Sequence, residues 1–128
     1  MKKILIVHSD YYPEISNELK KTAIETLKEF NVTSIKSPGV FEIPVIIARN
    51  IEKYDACIAL GCVIKGETPH FDYISTSATN GIMSLSINCK KPIGNGILTC
   101  LNKDQATQRV KKGAEAAKAV IQVLADEH

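Results

Sequence analysis

The chain alternates between two patterns of apolar residues. Compact, mostly apolar runs predict strands at residues 3–7, 32–36, 56–61 and 92–99. Between and after these runs, apolar residues recur every three or four positions, which predicts amphipathic helices. The helical segments are residues 13–30, 43–52, 71–89, 103–111 and 113–126. Strands that alternate with helices predict an α/β fold, a three-layer sandwich whose four-stranded parallel sheet carries helices on both faces.

The predicted topology places the loops that follow the strands at one edge of the sheet. In folds of this kind, ligands bind beyond the carboxyl ends of the strands. The loops concerned are residues 8–12, 37–42, 62–70 and 99–103, and three of them hold the least usual residues of the chain. We therefore expect a binding site where these loops converge.

The third of these loops has the chemistry of an anion site. It lies between a buried strand and a long helix, and unpaired N–H groups at a helix start attract anions. Lys65 adds a positive charge, Gly66 a flexible backbone and Thr68 a hydroxyl group. His70 supplies an imidazole, the side chain most often used for proton transfer. The loop predicts a site that holds an anionic small molecule beside a proton-transfer group.

Other candidate residues have a plain reading as well as a functional one. Tyr11 and Tyr12 are either exposed loop aromatics or a stacking platform for a planar ring. Glu42 either caps its own helix or accepts hydrogen bonds from ligand hydroxyls. Taken alone, Arg109 is a solvated helix charge. Lys112 and Glu115 have the spacing of a surface ion pair.

Composition narrows the class of protein. A length of 128 residues predicts one domain, residues 1–128. The net charge is +2 and the lysines are scattered, so we expect no nucleic-acid partner. No apolar stretch has the length of a membrane span, so we expect no membrane partner. The four cysteines lack metal-ligand spacing, which predicts free structural thiols in a reducing cytoplasm and no metal site.

Four motifs resemble one family. The stretch GCVIKGETPHFDYI, with SPGVFEIP upstream and GNGILT and KGAEAA downstream, closely resembles lumazine synthase (6,7-dimethyl-8-ribityllumazine synthase) over the whole chain. The resemblance implies a flavodoxin-like fold and a transferase of riboflavin biosynthesis. It implies that 5-amino-6-(D-ribitylamino)uracil condenses with 3,4-dihydroxy-2-butanone 4-phosphate to 6,7-dimethyl-8-ribityllumazine, with release of water and phosphate. Both substrates are small molecules, and the family needs no cofactor.

The resemblance also implies roles for individual residues. His70 matches the family's proton-shuttling histidine, and Arg109 matches the arginine that binds phosphate. Lys112 and Glu115 match a lysine and an acid near the site, the acid as an orienter of His70. The other implied substrate-binding residues are Glu67 and Thr68 for the butanone phosphate, Cys62, Val63 and Ile64 for the pyrimidine edge, Val40, Phe41 and Glu42 for the ribityl chain, and Tyr11 for stacking on the uracil.

The chain departs from the family pattern in three places. Tyr11 stands where the family usually has Phe or Trp, which still allows stacking. Asn95 stands where many members place an aromatic residue of the neighbouring subunit over the ring. The run between Arg109 and Lys112 is shorter than the family's glycine-rich connection. The family's pocket lies between subunits of a ring, so we expect a homopentamer with sites at subunit interfaces.

Three alternative functions follow from the same pattern. A non-catalytic, flavin-binding module of flavodoxin type shares the fold class, although its phosphate usually binds after the first strand. Here that loop, HSDYYPE, has no glycine. A related archaeal-type riboflavin synthase is the nearest enzymatic alternative, and the TPHFDY stretch favours the lumazine-forming branch. A shell protein without activity is disfavoured because His70, Thr68 and Arg109 are all present.

Overall fold

Strands and helices alternate along the described part of the protein. A computed structural model describes residues 1–126. The strands are β1 (Lys3–Ser9), β2 (Asn31–Ser37), β3 (Ala56–Ile64) and β4 (Ile93–Cys100). The helices are α1 (Pro13–Thr26), α2 (Ile43–Asn50), α3 (His70–Cys89), α4 (Lys103–Gln108) and α5 (Lys112–Ala125), with short 3-10 helices at Val40–Glu42 and Ile51–Lys53.

The strands pair in parallel in the order β2-β1-β3-β4. Helices cover both faces of the sheet, and the predicted three-layer α/β fold is confirmed. Alternate residues of β1 show how both faces of the sheet are buried. Ile4 and Ile6 face one core with α1 and α5, whereas Leu5 and Val7 face the other core with α2 and α3. A strand that is buried on both sides needs a continuous apolar run, and each such side chain contributes about 1.5–3 kcal/mol on burial.

The third strand is longer than the sequence pattern indicates. Residues 62–64 were predicted to be loop, and this boundary is wrong. Cys62, Val63 and Ile64 continue β3, because each pairs with a residue of β4. Cys62 is buried, while Val63 and Ile64 are half-buried. The strand therefore carries these three residues to the sheet edge on a regular backbone.

Several helix boundaries also differ from the predicted ones. The first helix ends at Thr26 rather than near residue 30, and the fourth ends at Gln108 rather than at 111. The last helix begins at Lys112, so Gly113 lies inside it. Gly113 packs directly on α1, since a Cβ there would lie 2.6 Å from Thr22 Oγ1 and closer still to the Leu19 carbonyl oxygen.

A helix approaches the backbone of β4 closely at one of its glycines. A Cβ on Gly94 would lie 2.6 Å from the carbonyl oxygen of Ala116, so α5 rests directly on the strand backbone. Helix α3 presents the predicted inner face, with Ala78 and Ile82 buried against the sheet. Within residues 1–126, no helix is both long enough and apolar enough to cross a bilayer.

Candidate active site

An open pocket of about 590 Å³ lies at the carboxyl edge of the sheet, and this volume is within the usual size range of ligand sites. Loops that follow β1, β2 and β3 converge on it, as predicted. The fourth loop, residues 99–103, contributes no residue to the pocket wall, although it lies at the same edge, where Lys103 Nζ is 3.0 Å from Glu14 Oε2. The pocket is lined by Ser9, Tyr11, Tyr12, Gly39, Val40, Phe41, Glu42, Cys62, Val63, Ile64, His70 and Ile74.

The first wall follows β1 and is held by a polar cluster. His8 Nδ1 lies 2.8 Å from Asp10 Oδ1, and Ser16 donates a hydrogen bond to the same carboxylate oxygen at 3.0 Å. Partial burial by itself would raise the pKa of Asp10. The hydrogen bonds from His8 and Ser16 and the charge of Lys36 outweigh it, so the pKa is lowered from its ordinary value. An ionised Asp10 therefore anchors the start of the loop.

Two tyrosines project from this anchored loop. Tyr11 is 70% exposed, and its ring centre lies 5.0 Å from that of Tyr12. Tyr12 is half-buried and packs against the core below. Burial raises the pKa of the Tyr12 phenol, so its hydroxyl stays protonated at neutral pH. Tyr11 is thus the ring with a free face, as stacking on a planar ligand requires.

The second wall is the turn after β2. Ser37 Oγ donates to the Gly39 carbonyl at 2.6 Å, which fixes the turn at its start. Phe41 points outward at 58% exposure. The carboxylate of Glu42 folds back over the turn, since a Cβ on Gly39 would lie 3.0 Å from its Oε1. Glu42 makes no capping hydrogen bond to α2, so that alternative for its role is wrong.

The third wall is the end of β3 with the start of α3. Gly61 lets the second wall lie flat on the strand, because a Cβ there would meet Val40 Cγ2 at 2.8 Å. His70 is the first residue of α3, is exposed and lines the pocket. Thr68 Oγ1 accepts a 3.4 Å hydrogen bond from the His70 backbone N–H. Glu67 and Thr68 are exposed beside this helix start, outside the pocket wall.

The remaining predicted residues lie in a second hollow. Asn95, Arg109 and Lys112 line a depression of about 530 Å³ between β4, α4 and α5, together with Glu115. Arg109 Nη1 donates to the Gln105 carbonyl at 3.0 Å, and no ion pair joins Lys112 to Glu115 in the described part of the chain. None of these side chains lines the pocket that contains His70.

The structure adds residues that sequence reasoning missed. Ser9, Gly39 and Ile74 line the main pocket although no role was predicted for them. Ile74 lies within the predicted helix of residues 71–89, where the repeat of apolar residues indicates core packing rather than a site. No sequence pattern singled out Ser9, because it was the second residue of the predicted loop 8–12. In the structure β1 extends to Ser9 and the loop begins after it. Its position at the carboxyl end of β1 was the one usable indication.

Comparison with a family model and with individual relatives points to one family. A family model described as 6,7-dimethyl-8-ribityllumazine synthase matches residues 1–127. A protein of that name from Bartonella tribocorum is 40% identical, with 95% of this chain and 87% of the relative covered. Its counterpart from Corynebacterium kroppenstedtii is 38% identical, with 93% and 80% covered.

A solved structure supports the fold alone. A 3-dehydroquinate dehydratase-like protein from Bifidobacterium longum superposes with a TM-score of 0.57 at 14% identity, over 98% of this chain and all of that one. At that identity, the likeness extends to the layered α/β architecture and carries nothing about chemistry.

Proposed function

The chain belongs to the 6,7-dimethyl-8-ribityllumazine synthase family, and from that premise we propose how its own residues carry out the reaction. The reaction condenses 5-amino-6-(D-ribitylamino)uracil with 3,4-dihydroxy-2-butanone 4-phosphate to 6,7-dimethyl-8-ribityllumazine in riboflavin biosynthesis. The enzyme is a transferase. The observation that supports this assignment of roles is the main pocket, which combines an exposed aromatic ring, a strand edge, a carboxylate and a histidine in one hollow.

The aminouracil occupies the three walls of this pocket in our proposal. Tyr11 stacks on the pyrimidine, and the backbone of residues 62–64 hydrogen-bonds the edge of the ring. The ribityl chain runs along the turn of residues 40–42, where Glu42 accepts hydrogen bonds from its hydroxyls. Support comes from the exposed face of Tyr11 and from a Glu42 carboxylate that folds over the turn rather than capping α2. Two substrates held in register gain rate through orientation, which alone supplies up to about 7–11 kcal/mol.

His70 carries the proton transfers. The amine of the uracil attacks the ketone, the hydroxyl of the adduct leaves as water, and phosphate is eliminated. The ribitylamino nitrogen then attacks the remaining carbonyl, and the ring closes with loss of a second water. A group that titrates near neutrality both donates to the departing hydroxyl and accepts protons in later steps. Support comes from the position of His70 on the pocket wall at the start of α3.

The phosphate lies at the amino end of α3, in our proposal. The unpaired N–H groups of a 20-residue helix and its dipole favour an anion there. Glu67 contributes its backbone rather than its carboxylate, and Thr68 contributes its hydroxyl group. Arg109 supplies fixed positive charge for the leaving group, as guanidinium groups do for phosphates generally. Lys112 and Asn95 accompany Arg109, because the three line the same hollow.

Arg109 and His70 lie in different hollows of one chain, which supports a site built from two chains. In a ring with head-to-tail contacts, one surface of each subunit meets a different surface of the next. The main pocket of one subunit then faces the second hollow of its neighbour, and Arg109, Lys112, Asn95 and Glu115 enter the site from the neighbour. We therefore keep the homopentamer as part of the proposal. Analytical ultracentrifugation that finds an active monomer would refute it.

The cellular location follows from the thiols. Burial raises the pKa of Cys57 to about 12 and that of Cys62 to about 11, so both stay protonated. All four cysteines are free thiols in the structure. Free thiols persist in reducing compartments, so we propose that the enzyme is cytoplasmic. We also propose that residues 1–128 form one domain.

Product formation tests the proposed function. The purified protein is mixed with both substrates, and the fluorescence of the lumazine is followed against a blank without enzyme, because the condensation also occurs spontaneously. We expect acceleration over the blank, and a fall of about 10²-fold or more in the enzymatic rate for His70→Ala. No acceleration by the wild type, accompanied by tight flavin binding, would favour the non-catalytic binding module instead.

A further inference from the structure

Ser9 has an unused hydroxyl group in the wall of the main pocket. The residue ends β1, is only 2% exposed and lines the pocket. Its Oγ has no hydrogen-bond partner within residues 1–126. A buried hydroxyl without a partner has lost its bonds to water and gained none, so native proteins seldom keep one without a use.

The hydroxyl groups around Ser9 are already engaged. Ser37 pairs with Ser9 across the sheet and donates to the Gly39 carbonyl at 2.6 Å. Ser16 shares its one hydroxyl proton between the carbonyl oxygen of Ser9, at 2.6 Å, and Asp10 Oδ1, at 3.0 Å. The first of these bonds holds the turn above Ser9, and the second holds its backbone. The hydroxyl groups of Ser16 and Ser37 are therefore both engaged, whereas that of Ser9 has no partner among the described residues.

Gly61 shows which part of the pocket Ser9 serves. A Cβ on Gly61 would lie 2.8 Å from Val40 Cγ2 and 3.5 Å from Ser9 Cβ. Ser9 and Val40 therefore flank the same point of β3, at the base of the turn of residues 39–42. The strand edge at residues 62–64, where the proposed function places the pyrimidine, lies further along β3. Ser9 thus lies beneath the segment that contacts the ribityl chain.

We infer that the Ser9 hydroxyl hydrogen-bonds a hydroxyl group of the substrate's polyol chain and so selects an aminouracil that carries such a chain. The inference rests on the proposed function of the pocket. Ser9 Oγ is shielded from solvent and has no partner among the described residues, while the residue itself lines the pocket beside Val40. A polyol hydroxyl both donates and accepts, so it suits a serine in either role.

Binding of two probes tests the inference without requiring turnover. Calorimetry measures the affinity for 5-amino-6-ribitylaminouracil and for the same aminouracil with a methylamino group in place of the ribityl chain. For Ser9→Ala we expect the ribityl compound to bind roughly 3- to 10-fold more weakly, the effect of one neutral hydrogen bond, and the methyl compound to bind unchanged. Equal losses for both probes, no loss for either, or a wild type that binds neither would overturn the inference.

Two other serines supply matched controls. Ser75 on α3 also has a buried hydroxyl without a partner in the described part of the chain, but it lies outside the pocket wall, so Ser75→Ala is expected to leave both affinities unchanged. Ser37→Ala removes a bond that is made, so its melting temperature should fall. The melting temperature of Ser9→Ala should stay unchanged or rise. A fall as large as the one in Ser37→Ala would indicate a structural role for Ser9.

The outcome separates this inference from the proposed function. A wild type that binds the ribityl probe but forms no product would refute the proposed enzyme and leave the role of Ser9 in binding intact. If wild type and Ser9→Ala accelerate product formation equally, with equal KM for the aminouracil, the proposed enzyme is supported and the role of Ser9 is refuted. A higher KM for the aminouracil in Ser9→Ala, with kcat and the KM for the butanone phosphate unchanged, supports both.

Discussion

Replacement of Gly113 by alanine should loosen the contact between α1 and α5. A Cβ on Gly113 would lie 2.6 Å from Thr22 Oγ1 and 2.9 Å from the Leu19 carbonyl carbon, with the Leu19 oxygen closer still. Backbone atoms of α1 have no side-chain rotation that relieves the overlap, so the two helices must move apart. Thr22 Oγ1 also donates to the Val110 carbonyl at 3.1 Å and accepts from the Ala114 N–H at 3.1 Å, and the same movement weakens both bonds.

The magnitude follows from two opposing effects. Overpacking costs about 1–3 kcal/mol, and three short contacts with largely fixed atoms place this site near the upper end. Alanine in a helix interior recovers about 1 kcal/mol relative to glycine. The free energy of unfolding should therefore fall by about 2 kcal/mol. For a chain of this length that corresponds to a fall of roughly 8 °C in the melting temperature.

Thermal unfolding of wild type and Gly113→Ala at one protein concentration measures this effect, since oligomer stability depends on concentration. Gly66→Ala is the matched control, because a Cβ on Gly66 meets no atom within 4 Å and its φ is not positive. That variant should be neutral, or more stable by about 0.4–1 kcal/mol through the unfolded state. A Gly113→Ala protein as stable as wild type would refute the close packing of α5 on α1.

Two further predictions concern the shared site and the thiols. A His70→Ala and an Arg109→Ala variant should each have very low activity alone. When equal amounts co-assemble, about one quarter of wild-type activity should return, because one site in four then combines an intact His70 from one chain with an intact Arg109 from its neighbour. Activity no greater than the sum of the separate variants would contradict a site shared between chains. In the folded state the pKa of Cys57 is about 12 and that of Cys62 about 11, both raised from 9.0 by burial, so the folded state keeps protons that the unfolded state releases. The free energy of unfolding, measured by urea titration, should therefore be highest below pH 9 and should fall as the pH rises towards 12. In Cys57→Ala the fall should be shallower than in wild type. An identical fall in both proteins would contradict the prediction.

Local patterns in the sequence determined the elements and much of the main pocket. The apolar runs and helical repeats predicted each strand and helix, because burial on one or both faces imposes a periodicity on neighbouring residues. The motif around His70 and the turn that contains Glu42 could be recognised because their residues are adjacent in the chain. The order of elements predicted that all four loops converge, since parallel strands direct their carboxyl ends to one edge. Three of them line the main pocket, and the loop after β4 does not.

Element ends were less accessible from the sequence. Residues 62–64 became strand only because β4 extends far enough to pair with them, which no local pattern reveals. The sequence placed Gly113 at the start of the last helix, since glycine disfavours helix interiors. In the folded chain, the contact with Leu19 and Thr22 leaves no room for a side chain, and glycine is required inside α5.

Only the tertiary structure decided which candidate residues share a hollow. Sequence motifs assigned Arg109, Lys112 and Asn95 to the same site as His70, yet the fold places them between β4, α4 and α5, in a hollow that His70 does not line. The order of strands and the packing of α5 on β4 set that separation, and both depend on contacts between distant parts of the chain. The leftover hydroxyl of Ser9 has the same origin, because a missing hydrogen-bond partner is a property of the whole surroundings rather than of any stretch of sequence.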